Sequence, residues 1–123
     1  STRILLVEDN IINQQVAMAM LEANGYKFDI ANNGQEAIEL FDSTKHSLIL
    51  MDCQMPVMDG FKATLELRKR DQHVPIVAMT ANAFKRTKQE CFDVGMTDFI
   101  TKPIDHRSLG EAIEKNLHSR QFT

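Results

Sequence analysis

The sequence predicts an α/β fold built on a parallel sheet of five strands, each followed by a helix. Three observations predict it. Short apolar runs alternate strictly with segments of helical periodicity along the whole chain. The first, third and fourth runs are apolar on both faces, as strands covered by helices above and below require. Asn-Gly, Asp-Gly and lone Gly or Pro residues punctuate the boundaries.

RILLVED (3–9) is a strand that ends in two acids. Ile12, Val16, Ala19, Met20 and Ala23 then fall at helical spacing and predict an inward stripe, and Asn24-Gly25 stops that helix. KFDIA (27–31) is the second strand. Asn33 caps the next helix with Glu36 at the N3 position, and Ala37, Leu40 and Phe41 point inward. SLILM (47–51) is the third strand. Asp59 caps a helix from Gly60 to about Arg70, with Phe61, Leu65 and the stem of Arg68 on one face. PIVAMT (75–80) is the fourth strand, with Pro75 suited to its first position. A helix from Ala83 to Val94 ends at Gly95, and TDFIT (97–101) is a short fifth strand. Asp105 opens the last helix, with Leu109, Ala112, Ile113, Asn116 and Leu117 inward. The core would span about residues 2–118, leaving HSRQFT at the C-terminus as a frayed tail. Crossovers should be right-handed.

A chain of 123 residues suits one domain. A net charge of −3 without a clustered basic face argues against nucleic-acid binding. The KRTK run (85–88) is read as a solvated helix face. No apolar run approaches the ~20 residues that span a membrane, so no membrane contact by this domain is expected. Cys53 and Cys91 form no C-x-x-C and point to a reducing, cytoplasmic compartment; Cys53, beside Asp52, is read as a small buried filler. His46, His73, His106 and His118 form no metal pair and are read as surface histidines. The chain begins at Ser1 and reads as a domain excised from a longer protein.

In an open parallel sheet the functional crevice lies beyond the carboxyl ends of the strands. Strand 1 leaves Glu8 and Asp9 there, strand 3 Asp52, strand 4 Thr80, and strand 5 is followed by Lys102. Strand 2 leaves only Ala31 and Asn32. Three carboxylates held together repel. The Lys102 ammonium and a hard divalent cation such as Mg²⁺ would each relieve that repulsion. The Thr80 hydroxyl and Lys102 are poor magnesium ligands but good donors to a phosphoryl group. A carboxylate can itself be the nucleophile in phosphoryl transfer, which is the role this setting gives Asp52. Taken singly, each of these is an ordinary turn, cap or loop residue. Their arrival at one sheet end from separate strands carries the signal.

ILLVEDN (4–10), LILMDCQMPVMDG (48–60), PIVAMTANA (75–83) and DFITKPI (98–104) together resemble the receiver domain of two-component response regulators. The resemblance covers essentially the whole chain. It implies a flavodoxin-like (βα)5 three-layer sandwich with strand order 2-1-3-4-5. It implies that Asp52 is the phosphoacceptor, and that Glu8 and Asp9 serve Mg²⁺ (or Mn²⁺) together with Asp52 and the backbone carbonyl of Gln54. It makes Thr80 and Lys102 the contacts to the phosphoryl oxygens, and Thr80 with Phe99 the switch pair. Phe99 lacks the hydroxyl of the tyrosine many relatives carry. Lys102-Pro103 matches a peptide bond that is often cis in the family.

EDNIINQ and AMTANAF have the flavour of receivers of hybrid sensor histidine kinases. That implies a His-Asp phosphorelay, with a histidine kinase or histidine phosphotransfer domain as donor. The donor would dock on helix 1 near Ile11, Ile12 and Gln15, with Ile11 exposed off the core stripe, and Ala81 and Ala83 would leave access to the site. The resemblance implies a monomeric domain that is not an enzyme but promotes its own phosphotransfer and dephosphorylation. The parent protein is a candidate for inner-membrane anchoring. The alternatives are a free-standing or DNA-binding-type response regulator, or a degenerate receiver that serves as an interaction module. Two more distant rivals fit less well. A haloacid dehalogenase-type phosphatase needs an acid two residues after its nucleophile, where this chain has Gln54. A flavin carrier needs a phosphate loop where this chain has Glu8-Asp9-Asn10.

Overall fold

The computed structural model describes residues 2–53, 59–81 and 85–121, with residues 85, 86 and 118–121 as backbone only. Its elements are β1 (Arg3–Val7), α1 (Ile11–Ala23), β2 (Lys27–Ala31), α2 (Gly34–Leu40), β3 (Leu48–Asp52), α3 (Gly60–Arg68), β4 (Ile76–Thr80), α4 (Lys85–Val94), β5 (Asp98–Thr101) and α5 (His106–Gln121). All strand pairings are parallel, in the order β2-β1-β3-β4-β5.

The two sheet faces follow from the alternation of side chains along each strand. Leu5, Val7, Ile49, Met51, Ile76 and Ala78 point to one side, against Ala37 and Phe41 of the α2 end, Ala63 and Leu67 of α3, and Cys91 of α4. Ile4, Leu6, Leu48, Leu50, Val77 and Met79 point to the other, against Ala17 and Leu21 of α1 and Leu109, Ala112 and Ile113 of α5. Every residue of β3 and β4 is buried. The edge strands β2 and β5 are only partly covered.

Local signals set most of the element ends. Asn10 opens α1 by accepting from the Asn13 N–H, Asn33 opens α2 from Glu36, and Asp59 opens α3 from Lys62. Asp105 accepts from the Ser108 N–H at the start of α5. Gly25 and Gly95 end α1 and α4 with φ of +79° and +108°, a region open to glycine without strain.

Five expectations are corrected. The inner face of α1 is Gln14, Ala17 and Leu21, while Ile12 and Val16 are exposed. The helix is apolar nearly all round, so spacing alone did not select the face. Leu40 and Leu65 are also exposed; α2 turns in at Phe41, and α3 packs closely through small Gly60, Ala63 and Thr64. α5 continues to Gln121, through most of the expected tail. His46 is buried, not a surface residue: its Nδ1 accepts from the Asp42 N–H at 3.1 Å and its Nε2 meets Asp29 Oδ2 at 2.9 Å. The Glu36 carboxylate reaches Asn32 rather than the Asn33 backbone. Among the described residues, no helix is long and apolar enough to cross a membrane.

Candidate functional site

The sheet register brings the expected residues to one rim. Val7 pairs with Met51, Asp52 with Met79, and Thr80 with Thr101. One step beyond Val7, Glu8 therefore lies level with Asp52; its N–H is held by Ala31 O at 3.1 Å. Glu8 continues the Ile4–Leu6 side of the pleat and Asp52 continues the Leu48–Leu50 side, so the two carboxyl groups face the same way. Lys102 follows β5, its N–H donating to Thr80 O at 2.7 Å. Its ammonium Nζ lies 3.1 Å from Glu8 Oε1 and 3.1 Å from Asp52 Oδ1.

Glu8 and Asp52 are buried while Asp9 is exposed, and the three offer carboxylate oxygens within 4.8 Å of one another. Burial, reinforced by the adjoining Asp52 carboxyl, pushes Glu8 up to about 7. Burial alone would depress Lys102, but the Glu8 and Asp52 carboxylates outweigh it and hold the ammonium above its ordinary value. Lys102 is therefore a fixed cation. It supplies one positive charge against three acids. Glu8 Oε1, although at ion-pair distance from Lys102, accepts no aligned hydrogen bond. An all-oxygen cluster with such a buried acceptor fits a hard cation of the Mg²⁺ type.

Thr80 is buried at the end of β4, on the opposite side of the pleat from Asp52's level. Phe99 is half-buried on β5; its ring meets the edge of Phe92 at a centroid distance of 6.4 Å, and Lys88 Nζ stands 4.7 Å over it. Lys88 thus covers an aromatic face rather than lying fully in solvent as expected of the KRTK run. The Lys102-Pro103 bond is cis, as expected. Gln54, Asn82 and Ala83 lie outside the described residues. Cys53 and Cys91 are both buried; burial, then the Cys91 thiol, hold Cys53 well above the usual thiol range, which suits a filler.

The sequence reading missed Gln14. It is buried on α1, and its Nε2 donates to the Glu8 carbonyl at 2.6 Å and to Asn32 Oδ1 at 2.8 Å. The signal available was a polar residue at i−3 and i−7 from Ala17 and Leu21, the true inner stripe.

A doubly wound sheet with an acid cluster, a lysine and a hydroxyl at its carboxyl rim defines a class of phosphoryl-handling α/β domain. The chain belongs to the response regulator receiver domain family, whose model matches residues 4–114. It is 45% identical to the hybrid signal transduction histidine kinase B of Dictyostelium discoideum over 94% of this chain. The chain spans only 7% of that protein's length, a small fraction as with its other curated relatives. Its fold matches the receiver domain of sensor histidine kinase PA1611 from Pseudomonas aeruginosa, crystallised with a magnesium ion coordinated in the active site cleft (TM-score 0.88, 38% identity, 96% of this chain and 98% of that one). It also matches the co-crystal structure of the Saccharomyces cerevisiae phosphotransfer protein Ypd1 with the receiver domain of Ssk1 (TM-score 0.87, 31% identity, 94% and 88% of the two chains). The expected family and strand order are both borne out.

Proposed function

We infer that this chain is the phosphoacceptor domain of a hybrid sensor histidine kinase, working in a His-Asp phosphorelay. A phosphohistidine on a kinase or histidine phosphotransfer domain would be the donor. One observation carries the reading: the Lys102 ammonium sits 3.1 Å from both Asp52 and Glu8, with Asp9 completing a three-carboxylate cluster.

In the transfer, an Asp52 carboxylate oxygen attacks phosphorus, a P–O bond forms, and the P–N bond to the donor imidazole breaks. The imidazole leaves with the bond's electron pair. Asp52 is paired with Met79 of β4 and follows Met51, which is paired with Val7 of β1, so it is aimed and does not have to be ordered in the transition state. Lys102 donates to a phosphoryl oxygen and carries its charge; the Thr80 hydroxyl donates to another. Glu8, Asp9, Asp52 and the Gln54 carbonyl would hold Mg²⁺. When bound, that ion neutralises charge on the transferring phosphoryl group. Water attack on the resulting acyl phosphate returns the free carboxylate.

The added charge of about −1.5 to −2 is the switch signal. Thr80 would move toward the phosphoryl group, and Phe99, two residues before the Thr101 that pairs with Thr80, would turn inward and change the α4–β5 face. Identical Thr80 and Phe99 conformers with and without beryllofluoride would refute this. The docking surface for the donor would be α1, where Ile11, Ile12 and Val16 are 67%, 69% and 42% exposed. They adjoin a cavity of about 100 Å³ lined by Asn13, Val16, Lys102, Pro103 and Ile104, which runs the patch into the site. Ile11→Ala should slow transfer from a protein donor and spare acetyl phosphate. The domain is proposed to act as a monomer in the cytoplasm.

The deciding experiment is incubation with acetyl phosphate and Mg²⁺, followed by intact mass. One phosphoryl mass should be gained, and lost in Asp52→Asn. No gain in the wild-type chain would favour the degenerate, interaction-only receiver.

A further inference from the structure

We propose that Gln14 is a positioning residue for the acid pair: its side-chain amide locks the peptide between Glu8 and Asp9, and so aims the Asp9 carboxylate at the cation. This rests on the reading that the pocket binds Mg²⁺.

Gln14 occupies the inner face of α1 at 7% exposure, a place where an apolar side chain is the ordinary choice. Both hydrogens of its Nε2 are used, toward the Glu8 carbonyl at 2.6 Å and Asn32 Oδ1 at 2.8 Å. Asn32 is oriented in turn, its N and Nδ2 each donating to Glu36 Oε1 at 3.0 Å. Glu36 is anchored on α2, where its N–H donates to Asn33 Oδ1 at 2.9 Å. A continuous chain of bonds thus runs from α2 through the end of β2 and α1 to the main chain of the acid pair.

The Glu8 carbonyl belongs to the planar peptide that it shares with Asp9. Holding that oxygen stops the plane from rotating, and so narrows the directions open to the Asp9 Cα–Cβ bond. Glu8 needs less help: it is buried, and its Oε2 accepts from the Asn10 N–H at 3.2 Å. Asp9 is exposed, so packing does not orient it. Groups that orient metal ligands in this way typically change metal affinity 10- to 100-fold when removed.

The test is a Mg²⁺ titration without any phosphodonor, followed by calorimetry or by the amide shifts of Asp9 and Asn10. Gln14→Met keeps the length and loses both donors; it should weaken Mg²⁺ about tenfold. A merely structural role would lower the melting temperature and leave the Mg²⁺ Kd, measured far below the melt, unchanged. Equal Kd values in the wild-type chain and Gln14→Met therefore overturn the proposal. Should Gln14→Met fail to fold, Asn32→Ala, at an exposed position, decides instead: it frees the Gln14 amide and should weaken Mg²⁺ by about tenfold or less. A wild-type Kd in that variant is equally fatal. A wild-type chain that binds no Mg²⁺ at millimolar concentration sinks the metal reading itself, an outcome distinct from equal, finite Kd values.

Discussion

Replacing Gly60 by alanine should both destabilise the domain and misplace Asp52, the proposed phosphoacceptor. Gly60 is the first residue of α3, and its N–H donates to Cys53 O at 3.2 Å. A Cβ built there would lie 2.3 Å from Asp52 O and 2.9 Å from Cys53 Cα. Reaching ordinary contact requires a shift of about 1 Å. The atoms that must yield are main chain at the end of β3, which is held by ladders on both sides. Overpacking costs about 1–3 kcal/mol, and rigid neighbours put this case near ~3. The better helix propensity of alanine returns at most ~1 kcal/mol, leaving a net loss of about 2 kcal/mol. Gly110, inside α5, is the control: its Cβ would meet nothing closer than Asn24 Oδ1 at 3.6 Å. Gly110→Ala should stabilise by about 0.5–1 kcal/mol. Urea unfolding measures both variants. Because the shift falls on Asp52, Gly60→Ala should also slow phosphorylation by acetyl phosphate about 100-fold, the cost of a 1 Å misplacement. A Gly60→Ala variant within ~0.5 kcal/mol of wild type, phosphorylated at the wild-type rate, would refute the close-approach argument.

Three further outcomes are expected. Burial alone would raise Asp29, but the hydrogen bond to His46 and the charges of Arg3 and Lys45 hold it below the usual carboxylate value. Its folded pKa is thus lower than its unfolded one near 3.8, so its stabilisation is complete above that pH and is lost as pH falls through the folded value. Asp29→Asn should flatten the acid limb of a stability–pH curve from urea melts. His46→Phe keeps the stack on Phe41 (centroids 5.9 Å apart) but strands the Asp42 N–H, and should cost about 1–3 kcal/mol by the same assay. Asn33→Ala removes the side-chain acceptor for the Glu36 N–H and should cost about 1 kcal/mol in thermal or urea unfolding.

What could be read from the sequence was what local chemistry decides. Asn33, Asp59 and Asp105 cap helices because a short polar side chain can reach the N–H three residues on, and that reach needs no knowledge of the fold. Glu8, Asp52, Thr80 and Lys102 could be placed at one rim because strand ends in a parallel sheet share an end. The strand order was legible only through the family resemblance, and the switch role proposed for Phe99 rests on that resemblance alone. The face of α1 was not legible: Ile11, Ile12, Val16, Ala17, Met18 and Leu21 leave apolar residues on every side, and what selects Ala17 and Leu21 is their fit to β1, β3 and α5. His46 and Gln14 were missed for a related reason. Each is a buried polar residue with one partner distant in sequence, Asp29 being 17 positions from His46 and Asn32 18 from Gln14. No periodicity reports such partners.

The same rigidity that made the rim predictable explains why its chemistry is concentrated there. Elsewhere on a surface, three neighbouring acids would swing apart into water. Here Asp52 is the last rung of β3 beside β4 and Glu8 continues β1 at the same level and on the same side of the pleat, so their main chains cannot part without breaking sheet hydrogen bonds, and both side chains are buried. Glu8 responds by holding its proton more tightly, up to about 7, rather than by moving. Lys102 cannot balance the cluster alone, because it is one charge divided between two carboxylates at equal distance. An added phosphoryl group brings more negative charge into the place that already has too much of it, so its arrival has to be accompanied by cation and by donors that shift toward it. A pocket whose acids could relax would absorb that charge silently. On the proposed function, a pocket held by the sheet would pass the change on through Thr80 and Lys102, which are joined by the Lys102 N–H to Thr80 O bond, and so into β4 and β5.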